Sequence, residues 1–130
     1  MADMQLDLVA VERTVWSGRA SMVIARTVEG DIGVMPGHGP LLAQLQEGFA
    51  ATVVEPNGNV SSVAVHGGFL SVTRQGVTIL AEDADLRDEI DLTKARTTYD
   101  HAKAQNSDTT ADETELRRAR AQLLAAGETP

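Results

Sequence analysis

Turn-forming residues punctuate the first 81 positions of this chain roughly every 8–12 residues, a rhythm that short antiparallel strands fit and helices do not. The breaks fall at Trp16-Ser17-Gly18, Glu29-Gly30-Asp31, Pro36-Gly37-His38-Gly39-Pro40, Glu47-Gly48, Pro56-Asn57-Gly58-Asn59, Gly67-Gly68 and Gln75-Gly76. Between them run apolar stretches of strand length: 5–11, 20–27, 32–35, 41–45, 49–55, 60–65, 69–73 and 77–81. Pro56-Asn57-Gly58-Asn59 is the clearest hairpin signal, because Asn and Gly accept the positive φ of tight β-turns. In 20–27, Met22 and Ile24 share one face and Val23 and Ala25 the other, so this strand is expected to be packed on both sides. No helical pattern interrupts the series, which predicts an antiparallel sandwich or barrel and not a parallel βαβ sheet.

The most heavily specified stretch is Glu29 to Leu42, EGDIGVMPGHGPLL. Two turns bracket the short apolar strand Ile32-Gly33-Val34-Met35, and glycine and proline set or free the backbone torsions at six positions. It carries one titratable ring, His38, and no nucleophile. It reads as a shaped surface and not a reaction centre, with a purely structural turn as the competing reading.

At 130 residues the chain is one domain, or one domain with an appendage. Cysteine is absent, which removes disulfides, thiolate metal sites and a thiol nucleophile. A net charge of −8 argues against general nucleic-acid binding, since no basic field exists to release counterions. No apolar run approaches the ~20 residues of a membrane span. The N-terminus shows neither a basic n-region nor an apolar h-region, so the expectation is a cytoplasmic protein without a signal peptide.

The character changes at Glu82. Six acids fall within ten residues, from Glu82 to Asp91, with Arg87 as the one base. This reads as an acidic linker that ends in a helix N-cap at Asp91. Leu92, Ala95, Tyr99 and Ala102 then recur at helical spacing. Asn106-Ser107-Asp108 breaks the pattern, Thr110 precedes Glu113 at capping-box spacing, and Leu116, Ala119, Leu123 and Ala126 form a second stripe that Gly127 ends. The result is an αα-hairpin. Each fully buried Leu contributes roughly 1.5–3 kcal/mol, whereas ordering the backbone costs about 1–2 kcal/mol per residue. A hairpin with three Leu, one Tyr and four Ala on its two stripes does not stand alone. It needs a support, and exchanging one support for another should be inexpensive.

Reactive constellations are poor. His66-Gly67-Gly68 resembles an esterase oxyanion turn, but no G-x-S-x-G elbow accompanies it, so close approach of two strands explains the glycines better. The acidic run lacks the order of a calcium loop, and His38, His66 and His101 lie in unrelated segments without ligand spacing, so no metal is expected. There is no phosphate-binding loop. Arg117, Arg118 and Arg120 cluster on the second helix. A solvated face is the default reading, and contact with an acidic partner is the functional one.

Taken in order, Val9, Trp16-Ser17-Gly18, the whole of Glu29 to Leu42, Gly67-Gly68-Phe69-Leu70-Ser71-Val72 and Val77-Thr78-Ile79-Leu80-Ala81 resemble one family, the epsilon subunit of the F-type (rotary) ATP synthase. The resemblance implies an α+β chain: an antiparallel β-sandwich of about ten strands over residues 1–84, then an acidic linker and regulatory helical hairpin over 85–130. It implies a non-catalytic central-rotor subunit, peripheral on the cytoplasmic face of the plasma membrane, without membrane insertion. It places Glu29, Gly30, Asp31, Ile32 and Gly33 against the c-ring, and His38, Pro40, Leu41 and Leu42 against the gamma subunit. Arg117, Arg118 and Arg120 would meet the catalytic subunits when the hairpin extends to block ATP hydrolysis. Some members bind ATP through an I-D-x-x-R-A motif. Here Ile90-Asp91-Leu92-Thr93-Lys94-Ala95 has Lys for Arg, and His101 stands where another base is usual. The expected nucleotide site, of Asp85, Asp91 and Lys94, is therefore weak, and no other cofactor is expected. The rival readings are a free-standing ligand-binding sandwich with a regulatory tail, and an esterase that depends on His66.

Overall fold

The computed structural model describes residues 3–105 and 110–128. Ten strands form two five-stranded sheets. They are β1 (Met4–Ala10), β2 (Arg13–Ala20), β3 (Met22–Thr27), β4 (Gly30–Val34), β5 (Leu41–Gln44), β6 (Phe49–Val54), β7 (Val60–His66), β8 (Phe69–Thr73), β9 (Gly76–Ala81) and β10 (Asp83–Leu86). One sheet has the order β2-β1-β9-β8-β5, the other β10-β7-β6-β3-β4. A single 3-10 turn (Arg87–Glu89) leads to helices α1 (Leu92–Gln105) and α2 (Thr110–Ala125).

Period-two alternation builds the core between the sheets. Leu6 and Leu8 of β1, Val77 and Ile79 of β9, and Leu70 of β8 point inward from the first sheet; Val23, Val34, Val53 and Val63 answer from the second. The pairing is antiparallel throughout except between β1 and β9, which run parallel with Leu8 opposite Ile79. The N-terminal strand thus closes its sheet by insertion beside a strand that lies about seventy positions later.

Gly67-Gly68 serves the close approach expected of it. At Gly68, with φ +116°, a Cβ would lie 2.1 Å from the carbonyl oxygen of Leu80, so only glycine lets β8 leave β7 against the end of β9.

Three expectations change. Trp16-Ser17-Gly18 is not a break but the middle of β2. Trp16 and Gly18 share a strand face, and a Cβ on Gly18 would sit 3.0 Å from the Trp16 ring, so the glycine makes room for the indole inside a continuous strand. Strand β3 is buried on one side only: Val23 and Ala25 face the core while Ile24 is exposed. The acidic run is not a free linker from its start, because Asp83–Leu86 pairs antiparallel with β7, Asp83 opposite His66 and Leu86 opposite Val63. Alternation survives there through Ala84, which is buried while its charged neighbours point outward.

The helical end follows the spacing closely. Asp91 caps α1 by accepting the Lys94 N–H at 3.0 Å. Gly127, at φ +83°, ends α2 in a Schellman motif: its N–H reaches the Leu124 carbonyl and the Glu128 N–H reaches that of Leu123. Ala95, Ala102, Ala119 and Leu123 are buried as the two stripes require, but Leu92 looks outward because α1 packs chiefly on α2 and not on the sheet. The break at Asn106-Ser107-Asp108 lies outside the described residues, and so does the side chain of Thr110, the first residue of α2, on which the expected capping pair with Glu113 depends. What the stripes did not reveal is a second face of α2. Ala121 and Ala125 are buried on Ala64 of β7, with Ala50 of β6 and Ile90 beside them.

Candidate functional site

Three groups of residues named from the sequence fall in three places. Glu29 to Gly33 forms the β3–β4 hairpin at the free edge of the second sheet. Its turn is tied by Thr27, whose hydroxyl donates to the Gly30 carbonyl at 2.7 Å and accepts the Glu29 N–H at 3.1 Å. Ile32 anchors the hairpin against the core, while Asp31 is exposed and ion-paired with Arg26 of the same hairpin. The guanidinium of Arg26 also lies over the ring of Phe49, 4.6 Å from its centroid.

His38, Pro40, Leu41 and Leu42 lie in the β4–β5 connection and on β5, the edge strand of the first sheet. His38 turns its Nδ1 to the Gly39 carbonyl at 2.7 Å, and its N–H donates to Met35 at 3.1 Å. Leu41 packs on the core, whereas Leu42 is 72% exposed. The sheet continues this apolar surface across its strands. Phe69 stands opposite Leu80, both exposed, on the face that carries Leu42. Phe69 and Leu80 were assigned no contact role from sequence; their outward position in strands whose alternate residues are core was the available signal. Beside them a groove of about 640 Å³ is lined by Val11, Val28, Leu45, Phe69 and Leu80, with Glu82 and Arg117 at its charged end.

The arginines of α2 are partly exposed, yet each is engaged with the sandwich. Arg117 pairs with Glu47 at 3.1 Å and with Glu113 at 3.8 Å, and Arg118 reaches Asp83 at 3.3 Å. Arg120 is the most enclosed in its contacts. Its Nε donates to the Gly48 carbonyl at 2.9 Å, its Nη2 to that of Glu47 at 3.4 Å, and its guanidinium lies 4.6 Å from the Phe49 centroid. At Gly48, φ is +89° and a Cβ would stand 2.3 Å from Arg120 Nη2, so glycine both makes the turn and leaves the socket open.

The expected nucleotide residues are divided. Asp91 and Lys94 meet at the start of α1, where Asp91 serves as the cap. Asp85 belongs to another cluster: one of its oxygens accepts from His66 Nε2 at 2.8 Å and from Gln122 Nε2 of α2 at 2.9 Å. An ionised carboxylate only accepts, so His66 carries its proton on Nε2. The His66 hydrogen bond, joined by that of Gln122, holds the Asp85 carboxyl below the usual range against the opposing effect of burial. Glu89 is likewise lowered, by its two-pronged bond from Arg13 at 2.8 Å and by the Leu86 N–H. Among the described residues no group of three His, Asp or Glu side chains is arranged to hold a metal.

The described residues thus present a tied hairpin turn, an exposed apolar sheet face and a helix docked by small apolar side chains and polar contacts. Residues 3–87 match the family described as ATP synthase, Delta/Epsilon chain, beta-sandwich domain. The ATP synthase epsilon chain of Rhodococcus opacus is 56% identical over 74% of this chain and 79% of its own length. That of Corynebacterium diphtheriae is 46% identical over 96% of this chain and 94% of its own. A chain in the cryo-EM structure of the Euglena gracilis mitochondrial ATP synthase (OSCP/F1/c-ring, rotational state 1) superposes with a TM-score of 0.81 at 27% identity, covering 98% of this chain and 83% of that one. A chain in the cryo-EM structure of the Tetrahymena thermophila mitochondrial ATP synthase (central stalk/c-ring) shares the fold alone, at 15% identity and a TM-score of 0.58, covering 97% of this chain and 95% of that one. The chain belongs to the epsilon-chain family of the ATP synthases.

Proposed function

We propose that this chain is a non-catalytic central-stalk subunit that seats the gamma subunit on the c-ring and restrains ATP hydrolysis through its helical hairpin. The Glu29–Gly33 hairpin is the c-ring contact, a short turn tied by Thr27 and anchored by Ile32 so that torque does not deform it. His38, Pro40, Leu41 and Leu42, extended by Phe69 and Leu80, form the gamma contact, where exposed apolar side chains gain most from burial. The presence of F1 and a c-ring in the Euglena assembly that carries the similar chain supports this placement. No helix among the described residues is long and apolar enough to cross a membrane, which accords with a peripheral place on the cytoplasmic face.

One observation carries the regulatory part: α2 rests on the sandwich through small residues, half-exposed ion pairs and the few hydrogen bonds of Arg120 and Gln122. Ala121 and Ala125 against Ala64 supply about 1 kcal/mol each, and each half-exposed pair adds about 0–1 kcal/mol. Such a contact is reversible, and its arginines are released for acidic residues of the catalytic subunits when it opens. A regulatory nucleotide at Asp85, Asp91 and Lys94 would meet a carboxylate that Gln122 of α2 already contacts, so binding there would bear on the docking of the helix.

The test is ATP hydrolysis by the reconstituted synthase with the intact chain and with one that ends after Ile90, which retains the Arg13–Glu89 pair. A marked rise on truncation, with ATP synthesis still coupled, places the restraint in the hairpin. Unchanged hydrolysis leaves only the mechanical seat.

A further inference from the structure

Arg26 and Arg120 share one aromatic ring although they belong to parts of the molecule with different tasks. Each guanidinium carbon lies 4.6 Å from the Phe49 centroid, so the two are within twice that distance of one another. Arg120 comes from the docked helix and Arg26 from the β3–β4 hairpin. Both cations are drawn to the negative face of the ring, yet they repel each other. The charge that offsets this repulsion is Asp31, ion-paired with Arg26 at the exposed tip of the hairpin. Among the described residues Arg120 forms no ion pair, and its hydrogen bonds go to the neutral carbonyls of Gly48 and Glu47. Its tolerance of a second cation over the ring therefore depends on Asp31.

We infer that Asp31 and the docking of α2 are energetically coupled through Arg26, Phe49 and Arg120, so that a cationic side chain of a partner that takes Asp31 loosens the helix. The inference rests on the proposed seat only for the identity of that partner; the coupling itself is a property of the isolated chain. Taking Asp31 away leaves Arg26 without its counter-charge, raises the repulsion felt by Arg120 and favours the undocked helix. Occupancy of the seat then biases release of the hairpin at the far side of the same sheet, without any movement of the core between them.

The experiment is amide hydrogen exchange on the full-length protein, which reads the opening of α2 at residues 117–125 with the β1 and β9 amides as an internal control for the fold. Asp31→Asn should speed exchange of the α2 amides by about two- to threefold at low salt, the scale of one cation over a ring in partial solvent. Arg26→Gln should abolish the response, so that adding Asp31→Asn to it changes nothing further. High salt should shrink the response of the single variant. An Asp31→Asn effect of the same size with and without Arg26, or no effect on α2 while the controls are unchanged, overturns the inference. Since no partner is present, either result leaves the seat's partner to be judged by the reconstituted enzyme.

Discussion

The Nε2 of His66 donates to the Asp85 carboxylate at 2.8 Å on the face of the second sheet that α2 covers, and the same oxygen accepts from Gln122 of α2 at 2.9 Å. The Asp85 cluster is thus shared between strand and helix, and its ionisation bears on docking. Asp85 titrates below its ordinary value near 3.8 because of His66 first and Gln122 next, and Arg118 adds to the lowering. A carboxyl lowered on folding stabilises above its unfolded value and loses that contribution as pH falls through the folded one. Docking of α2 should therefore hold from neutral pH down to about 4 and weaken below it. Asp85→Asn should remove most of that dependence and loosen α2 at neutral pH by about 1 kcal/mol. Amide exchange of residues 117–125 across pH measures both, and an acid profile identical in the variant would refute the assignment.

Gly48→Ala should undock the helix more than it harms the sandwich. The new methyl would collide with Arg120 and force a side chain into positive φ, at a cost of about 1–3 kcal/mol. Limited proteolysis should cut α2 faster in the variant, whereas Gly48→Ala paired with Arg120→Ala should recover part of the loss.

Ala64→Leu should separate the two halves of the chain from the other side. Ala64 is fully buried under Ala121 and Ala125, and a larger side chain there costs about 1–3 kcal/mol through overpacking. In the proposed assembly the same change shifts the hairpin toward its undocked form. The hydrolysis assay reads the shift, and the β1–β9 amides report whether the sandwich is preserved.

Leu42→Asp and Phe69→Asp test the apolar face. Both side chains are exposed in the isolated protein, so the thermal midpoint should change little, within about 0.5 kcal/mol. Affinity for the gamma subunit should fall at least about tenfold, the loss expected when a charge enters an apolar contact. Unchanged affinity for both variants would move the gamma contact elsewhere on the sandwich.

Much of this fold was legible residue by residue. Turns at Pro56–Asn59 and Gln75-Gly76, the Asp91 cap and the Gly127 terminus are local chemistry, settled by torsional preference and by hydrogen bonds within a few residues. Trp16-Ser17-Gly18 misled because a glycine signals a turn in isolation, and only the indole stacked above it shows that it clears space within a strand. Asp83–Leu86 misled because charge dominates its composition, while the backbone pairing with β7 needs only Ala84 to face inward.

The site divides in the same way. Glu29 to Leu42 could be singled out by sequence, since six glycines and prolines in one short stretch restrict the chain wherever it lies. The partners of Arg117, Arg118 and Arg120 on the sandwich could not. Glu47, Gly48, Phe49, Asp83 and Asp85 reach α2 from strands and turns more than thirty positions away, and no periodicity along the chain encodes which of them meet. Sequence alone determined the alternation, the turns and the caps, because these depend on neighbours along the backbone. Tertiary structure decided that the arginines close on the sandwich and that one aromatic ring serves both the β3–β4 hairpin and the helix, because those contacts exist only when α2 has docked on β6 and β7.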